Sequence, residues 1–303
     1  MHIAVTGSSG LIGSALVTRL RAQGHRVSPV VRRAARDGEI AWDPAGGVLD
    51  PAALADVDAV VHLAGAGIGD KRWTAAYKDE IRSSRVRSTD TLARAIATAR
   101  QQGSGPSVLL SGSAIGIYGP RGDETLDESA ARGQGFLADV CAEWETATAA
   151  AQAAGVRVAH LRTGIVLSPA GGALKKQLPL FKLGLGGRFG KGDAWQSWIS
   201  LDDELGAVEF LLTAEVSGAV NLTAPEPVTG ATFARTLGRV LKRPAALPVP
   251  SFGPKLLLGA ELADALLFTG QRVVPGVLTA AGYTFQHTEL EAALRSLLGR
   301  PAA

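Results

Sequence analysis

Three glycines near the start of the chain constrain its fold more than any other feature. Gly7, Gly10 and Gly13 follow an apolar run and lead into a segment that carries Leu16 and Leu20 on one helical face. Glycines at this spacing between a strand and a helix let the backbone turn tightly, approach a phosphate and pack the helix against a sheet. The pattern predicts a phosphate-binding loop, and a glycine-rich turn without a ligand is the alternative.

The segments that follow complete a unit typical of dinucleotide binding. A helix is predicted over residues 11–23, Gly24 ends it, and a second strand is predicted over residues 26–31. We therefore expect the pyrophosphate of a dinucleotide on the glycine loop. The cofactor-binding residues predicted there are Gly7, Ser9, Gly10, Leu11, Ile12 and Gly13.

The end of the second strand indicates which dinucleotide binds. In this kind of unit the residue that reads the adenosine ribose lies about 20 residues beyond the glycines, and an acidic side chain there selects NAD. This chain has Arg32 and Arg33 instead, and a guanidinium group can hold a 2′-phosphate through two hydrogen bonds. We predict NADP(H), with Arg32 at the 2′-phosphate. Solvated surface charge is the alternative, and it fits Arg33 better than Arg32.

Composition narrows the class of protein. The 303 residues are 46% hydrophobic, enough for a large core, and the net charge of +3 is scattered rather than gathered in a basic, aromatic-rich stripe. A small anionic ligand explains this excess better than nucleic acid. Cys141 is the only cysteine, which excludes an internal disulfide, and we predict no metal site. Without a membrane-spanning apolar run or a leader, the expectation is a cytoplasmic protein.

Two further strand ends supply candidate site residues. A buried strand beginning at residue 59 runs into a loop of small residues, and a strand over residues 107–111 runs into a second loop at the same edge of the sheet. Small residues at the carboxyl end of a strand leave room for a ligand. His62, within the first strand, is expected to be a packed histidine rather than a catalytic one. The candidates in the two loops are Leu63, Ala64, Gly65, Ser113 and Tyr118.

Strands and helices alternate along the first half of the chain, which predicts a parallel sheet covered on both faces, a doubly wound α/β fold. Beyond about residue 168, glycines, lysines and prolines divide the chain into a smaller lobe. We predict a dinucleotide-binding domain of residues 1–167 plus 200–222 and a substrate-side lobe of residues 168–199 plus 223–303. Helical segments are expected over residues 74–102, in two pieces, and over residues 135–154 and 255–268.

Several motifs together resemble the extended short-chain dehydrogenase/reductase superfamily. They are the glycine loop of residues 6–13, Leu63-Ala64-Gly65, Ser113 followed by Tyr118-Gly119, Leu161-Arg162, and Trp198-Ile199 before Asp202-Asp203. More narrowly, Trp42-Asp43-Pro44, Ser84-Arg85-Val86 and the run from Gly270 to Phe285 resemble its atypical epimerase family branch, which ends in a small domain of unknown function. The resemblance implies a Rossmann-type sheet, NADP(H) binding and an unassigned substrate. It also implies a homodimer paired through long helices.

The chain departs from the superfamily at the residues that transfer a proton. Relatives carry Tyr-x-x-x-Lys on the helix after the serine loop, where Leu137 and Cys141 stand here. Leu137 has no titratable group, and a lone cysteine on an apolar helix face is usually part of the core. Ser113 could instead position a substrate oxygen and Tyr118 could supply the proton. The alternatives are a loop-capping hydroxyl for Ser113 and a packed aromatic for Tyr118.

Two basic features are candidates for binding the substrate. Arg85 stands where extended relatives more often carry asparagine, and it could contact a substrate anion or Glu145, or form a surface charge pair. The glycine-rich stretch of residues 175–191 carries several cations and is either a substrate mouth or a solvated loop.

Two hypotheses follow for the function. The first is an NADP(H)-dependent oxidoreductase or epimerase-like enzyme for a small, anionic or nucleotide-linked substrate. The second is an NADP(H)-binding sensor or partner-binding protein that has lost catalysis together with the usual tyrosine and lysine.

Overall fold

The computed structural model describes residues 1–245 and 247–301, which are built around a seven-stranded parallel sheet. The strands of this sheet are β1 (His2–Thr6), β2 (Arg26–Val31), β3 (Ile40–Ala41), β4 (Ala59–His62), β5 (Val108–Ala114), β7 (Arg157–Thr163) and β11 (Gly218–Leu222). Their order across the sheet is β3-β2-β1-β4-β5-β7-β11. The order reverses between β1 and β4, and a crevice for a ligand opens at such a switch point, outside the carboxyl ends of the strands.

The remaining strands form two-stranded pairs at the carboxyl edge of the sheet. The pairs are β8 (Ile165–Leu167) with β10 (Trp198–Ser200), β9 (Trp195–Gln196) with β12 (Val228–Thr229), and β6 (Thr125–Leu126) with β13 (Arg272–Val273). The helices are α1 (Leu11–Ala22), α2 (Ala75–Gln101), α3 (Phe136–Thr146), α4 (Ala149–Ala153), α5 (Gly172–Lys182), α6 (Leu201–Thr213), α7 (Gly230–Leu241), α8 (Phe252–Leu258), α9 (Ala260–Ala263), α10 (Gly276–Ala280) and α11 (Leu290–Leu297). Short 3₁₀ turns span Pro51–Leu54 and Ile115–Tyr118, and a π turn spans Asp264–Phe268.

Helices cover both faces of the sheet. Ile3 and Val5 point to the face packed by α1 and α6, whereas Ala4 points to the face that packs against Leu92 and Ile96 of α2. This alternation follows from the two-residue period of side chains along a strand. All five side chains are fully buried. The predicted doubly wound α/β fold is therefore confirmed.

The helix predicted in two pieces over residues 74–102 is a single helix, α2, of 27 residues. Thr74 caps it by accepting a hydrogen bond from the Tyr77 N–H at 3.1 Å. The helix contains neither glycine nor proline, and buried residues from Tyr77 to Ala99 recur along one side. Because nothing interrupts its backbone bonding or its buried face, the prediction of a break was wrong.

Two other helical segments are divided where one helix was predicted. Between α3 and α4, the Thr148 hydroxyl donates to the Glu145 carbonyl and bonds His160 Nε2 at 3.0 Å, so a side chain competes with the helical ladder. Between α8 and α9, Gly259 has φ +88°, a left-handed conformation that ends a helix.

A separate hydrophobic cluster holds the smaller lobe together. Leu174, Leu178 and Phe181 of α5 pack with Leu237 of α7 and Leu294 of α11 in this cluster. The lobe boundaries given above stay a prediction. Within the described residues, no helix combines the length and the apolar character needed to cross a bilayer.

Glu204 is a carboxyl group inside the core. It is fully buried in the first turn of α6, its Oε1 accepts a hydrogen bond from Thr163 Oγ1 at 3.0 Å, and its Oε2 has no partner among the described residues. Burial raises its pKa to about 8. The native protein therefore holds Glu204 protonated across the neutral range, because no cation offsets the loss of water.

Glu204 should make stability fall as pH rises. Its pKa is higher in the folded than in the unfolded chain, so its contribution is complete below pH about 4.5 and is lost as pH rises to about 8. We expect Glu204→Gln to match the wild type at pH 5 and to raise the Tm by roughly 5 °C at pH 8. Thermal unfolding between pH 5 and 8 tests this, with exposed Glu215→Gln as the charge control. A Tm difference that does not vary with pH would contradict it.

Candidate dinucleotide site

A cleft of about 1110 Å³ opens at the carboxyl edge of the sheet, where the strand order reverses. Its walls are the glycine loop after β1, the end of β2 with the segment after β3, the loop after β4, and one face of α2. Gly7, Ser9, Gly10, Arg32 and the Leu63–Gly65 loop all line it. The structure therefore brings most of the predicted cofactor-binding residues together.

The glycine loop is shaped by close backbone contacts. Gly7 has φ +64°, and a Cβ atom there would lie 2.6 Å from the Leu63 carbonyl oxygen. A Cβ at Gly13 would lie 2.2 Å from the Gly7 carbonyl oxygen, whereas one at Gly10 would lie 3.3 Å from it. Gly7 and Gly13 thus allow approaches that no side chain permits, while the tolerance at Gly10 is greater.

Helix α1 presents its amino terminus to the cleft. Gly10 is the N-cap residue and supplies no capping side chain, and Ser9 and Gly10 are exposed. The side chain of Leu11 packs against Gly171, and that of Ile12 packs against the core. What these two residues can offer a ligand is therefore their backbone N–H groups in the first turn. Uncapped N–H groups and the positive end of the helix dipole suit a phosphate.

The two arginines after β2 have different surroundings. Arg33 pairs with Glu39 through two hydrogen bonds of 2.6 Å, which lowers the pKa of Glu39 to about 2. Arg32 lines the same cleft and pairs with no carboxylate in the described part of the chain. Of these two arginines, only Arg32 has a guanidinium group without a carboxylate partner among the described residues.

A buried hydrogen-bond chain holds the loop after β4. Thr6 Oγ1 accepts from the backbone N–H groups of Leu63 and Ala64 at 3.0 and 3.1 Å, and its own hydrogen is left for His62 Nδ1 at 2.7 Å. His62 Nε2 then donates to Thr89 Oγ1 at 2.9 Å. Burial lowers the pKa of His62 to about 3, so it stays neutral. His62 is therefore a packed histidine, as expected. No local sequence pattern indicated that Thr6 positions Leu63 and Ala64.

A second network begins at Ser113, on the strand next to β4. Ser113 Oγ donates to Glu145 Oε1 at 2.7 Å, and Arg162 holds both Glu145 oxygens at 2.8 and 2.9 Å. Burial opposes the charge of Glu145, but hydrogen bonds from Arg162 and Ser113 outweigh it and keep its pKa below the ordinary value. The ionised carboxylate fixes the Ser113 hydroxyl. Ser113 itself is buried and is not among the residues that line the cleft.

Tyr118 belongs to the same network. Its hydroxyl donates to Asn221 Oδ1 at 2.7 Å and accepts from Arg162 at 3.0 Å, and its side chain is fully buried. Burial raises the pKa of Tyr118. Tyr118 was predicted to supply a proton. In the structure its hydroxyl points into this network and not into the cleft.

Leu137 and Cys141, at the expected tyrosine and lysine positions, lie on α3 beside the turn of residues Ile115–Tyr118 that follows β5. Their side chains contact the position that a Cβ of Gly116 would take, with Cys141 Sγ 3.9 Å from it. Burial raises the pKa of the Cys141 thiol to about 12. The thiol is therefore protonated near neutral pH and cannot replace the lysine as a cation.

The basic stretch of residues 175–191 does not line the large cleft within the described residues. Lys176 donates to the Gly69 carbonyl at 3.4 Å, beyond the loop after β4. Arg188 lies on a separate cavity of about 360 Å³ with Arg235 and Arg243. The substrate-mouth hypothesis for this stretch stays a prediction.

Comparison with known proteins agrees with this geometry. Residues 3–223 match the NAD dependent epimerase/dehydratase family, and residues 249–297 match a domain of unknown function (DUF1731). An epimerase family protein of Mycobacterium bovis is 47% identical over 99% of this chain and 98% of its own. Human epimerase family protein SDR39U1 is 36% identical over 98% of this chain and 100% of its own.

Solved structures agree as well. The crystal structure of human SDR39U1 (isoform 2) with NADPH has a TM-score of 0.88 at 34% identity and covers 99% of both chains. MoeE5 in complex with UDP-glucose and NAD, at 22% identity and a TM-score of 0.77, shares the fold. The chain is a nicotinamide-nucleotide-binding protein with a Rossmann-type sheet. It belongs to the NAD dependent epimerase/dehydratase family. The predicted resemblance to the atypical epimerase family branch of the short-chain dehydrogenases/reductases is confirmed.

The two glycines of the loop should differ in their tolerance of a side chain. Gly13→Ala places a methyl group against the Gly7 backbone, so we expect the Tm to fall by several degrees and dinucleotide affinity to fall at least about tenfold. Gly10→Ala meets only one atom at 3.3 Å and should cost less of both. Calorimetric titration with NADPH and thermal unfolding measure the difference. Equal losses in the two variants would contradict this account of the loop.

Proposed function

We propose that the protein is an NADP(H)-dependent oxidoreductase or epimerase-like enzyme acting on a small, unidentified substrate. The observation that carries the cofactor choice is the contrast at the end of β2, where Arg33 is paired with Glu39 and Arg32 is unpaired in the described chain. A 2′-phosphate at Arg32 would gain a cation, whereas NAD would gain none. The NADPH in the human SDR39U1 structure supports the same choice.

The residues around the cleft have separate tasks in this proposal. The loop from Gly7 to Gly13 and the first turn of α1 hold the pyrophosphate, and Leu63, Ala64 and Gly65 form the wall near the nicotinamide. When bound, the dinucleotide supplies hydride transfer. Thr6 keeps the wall in place because its hydroxyl binds two of the wall's N–H groups.

Ser113 is proposed as the residue that positions the reacting oxygen of the substrate. Its hydrogen is held by Glu145, so the serine oxygen is ready to accept a hydrogen bond from a substrate hydroxyl. Tyr118 is proposed as a positioning residue that braces Arg162, since its hydroxyl bonds Arg162 and Asn221. Neither Leu137 nor protonated Cys141 takes the place of the usual proton-transfer pair.

The second candidate is a sensor that binds NADP(H) without turning over a substrate. The observation in its favour is the replacement of both proton-transfer residues by Leu137 and Cys141. The retained Ser113–Glu145 pair favours the enzyme, because a protein that only binds the dinucleotide has no need of an oriented serine at that position.

Cofactor choice should depend on Arg32 and little on Arg33. Arg32→Asp replaces the cation with an anion, so we expect NADPH affinity to fall at least about a hundredfold and NADH affinity to change less than threefold. Arg33→Gln, the neighbouring control, removes a guanidinium group that Glu39 already occupies. Fluorescence titration with both dinucleotides measures this. Equal losses for NADPH and NADH in Arg32→Asp would overturn the cofactor assignment.

Enzyme and sensor are separated by following the hydride. Purified protein is incubated with NADPH deuterated at its transferable hydrogen and a metabolite extract, and the small molecules are searched for deuterium by mass spectrometry. We expect label in one compound, and Ser113→Ala should reduce it at least about tenfold. Absence of label, with NADPH binding verified, would reject the reductase and leave an epimerase that returns its own hydride, or the sensor.

A further inference from the structure

We infer that Arg85 is the anion receptor of the substrate site and that the substrate carries an oxyanion, such as a carboxylate, beside the oxygen that Ser113 holds. This inference rests on the proposed enzyme function and adds the class of substrate. It begins with a cation that has no counter-charge. Arg85 donates one hydrogen bond, from Nη1 to the Ile81 carbonyl at 3.1 Å, and has no carboxylate within ion-pair distance among the described residues.

The surroundings of Arg85 fix its guanidinium group. The group lies 5.1 Å from the ring centroid of Trp144. Gly65 is also close, since an added Cβ there would lie 3.2 Å from the guanidinium carbon. The side chain is half buried, and burial lowers the pKa of Arg85. The Trp144 ring and the Gly65 backbone thus restrict the planar group, and apart from the bond to Ile81 its N–H groups make no hydrogen bond among the described residues.

The position of Arg85 relates it to the reacting end of the site. Gly65 lies three residues beyond His62 at the end of β4, and Ser113 lies two residues beyond Ser111 in β5. His62 and Ser111 are paired in register. Gly65 therefore follows β4, and Ser113 lies near the carboxyl end of β5, at the same edge of the sheet on neighbouring strands. Trp144, whose ring packs against Arg85, is adjacent in sequence to Glu145, which accepts the hydrogen bond from Ser113.

The backbone of Arg85 is anchored by the chain that also shapes the cofactor wall. Thr89 Oγ1 donates to the Arg85 carbonyl at 2.8 Å and bonds His62, which bonds Thr6. The cation is thus held in fixed relation to Leu63 and Ala64. Glu145, which the sequence suggested as a partner for Arg85, instead accepts two hydrogen bonds from Arg162.

A half-buried guanidinium group without a carboxylate partner is suited to bind an anion that has two oxygens. Arginine binds carboxylate and phosphate edge to edge through parallel N–H bonds. The substrate would then be held at two points, with its oxyanion on Arg85 and its hydroxyl group donating to the Ser113 oxygen. Fixing two points also fixes the face that the substrate presents to the cofactor wall.

The test measures anion binding to full-length protein saturated with NADPH, which keeps the phosphate-binding loop occupied. Acetate, pyruvate and inorganic phosphate are the probes, acetamide is the uncharged isostere of acetate, and ligand-observed NMR gives the Kd. We expect at least one probe to bind the wild type at least tenfold more tightly than Arg85→Gln, and acetamide to bind neither. Preference for the carboxylates or for phosphate identifies which oxyanion the site takes.

Two further variants serve as controls for the effect of Arg85→Gln. Arg94→Gln removes a cation from the same helix, where Arg94 pairs with Asp90 at the exposed surface, and should bind the probes as the wild type does. Arg85→Lys keeps the charge without the planar fork and should recover only part of the affinity. NADPH affinity should stay within twofold of the wild type in all three variants, which shows that each is folded.

Specific outcomes would overturn the inference. They are equal probe binding by the wild type and Arg85→Gln, binding of acetamide as tight as that of acetate, absence of binding by every probe, or loss of NADPH affinity in Arg85→Gln with an unchanged Tm. Deuterium transfer to a neutral compound, undiminished in Arg85→Gln, would also overturn it while leaving the proposed enzyme intact. Failure of deuterium transfer with Arg85-dependent anion binding would instead reject hydride transfer to an external substrate and keep the anion receptor.

Discussion

The contact between the glycine loop and the end of β4 determines the site. Gly7 approaches the Leu63 carbonyl more closely than any residue with a Cβ atom could, and Thr6 binds the next two N–H groups of the same loop. The phosphate-binding loop and the wall near the nicotinamide are therefore one rigid unit. Through His62 and Thr89 the same unit reaches the backbone of Arg85 on α2. A neutral, fully buried histidine suits this task because its two nitrogens can accept on one side and donate on the other.

The sequence predicted those parts of the site that depend on local geometry. The roles of Gly7, Gly13 and Arg32 were predicted from neighbouring residues alone, because a strand, a tight turn and a helix follow one another in that part of the sequence. Pairing across the fold could not be read in this way. Glu145 and Arg162 are 17 residues apart and meet only because Ser113 and Arg162 are neighbours in the β5–β7 register. The burial of Tyr118 has the same origin, since its partner Asn221 lies on another strand.

The fold was predictable for a similar reason, and its errors are physical too. Alternating strands and helices indicated the doubly wound sheet, because each strand's buried run is visible in the sequence. Helix boundaries failed where a side chain competes with the backbone, as Thr148 does between α3 and α4. They failed in the opposite sense in α2, which was predicted in two pieces and is continuous along its buried side. Helix limits depend on such tertiary contacts more than on propensity.

Ser113 and Arg162 both bind Glu145 of α3, the helix on which Leu137 and Cys141 stand at the expected tyrosine and lysine positions. The Arg162–Glu145 pair satisfies itself, so its charges orient the serine but offer no proton near neutral pH. Arg85, by contrast, has no carboxylate partner among residues 1–245 and 247–301, and its guanidinium group lies over the Trp144 ring. A protein gains nothing in stability from burying a lone cation, since the lost hydration is not repaid within the chain. The inferred oxyanion of the substrate would supply the negative charge that Arg85 lacks within the described chain.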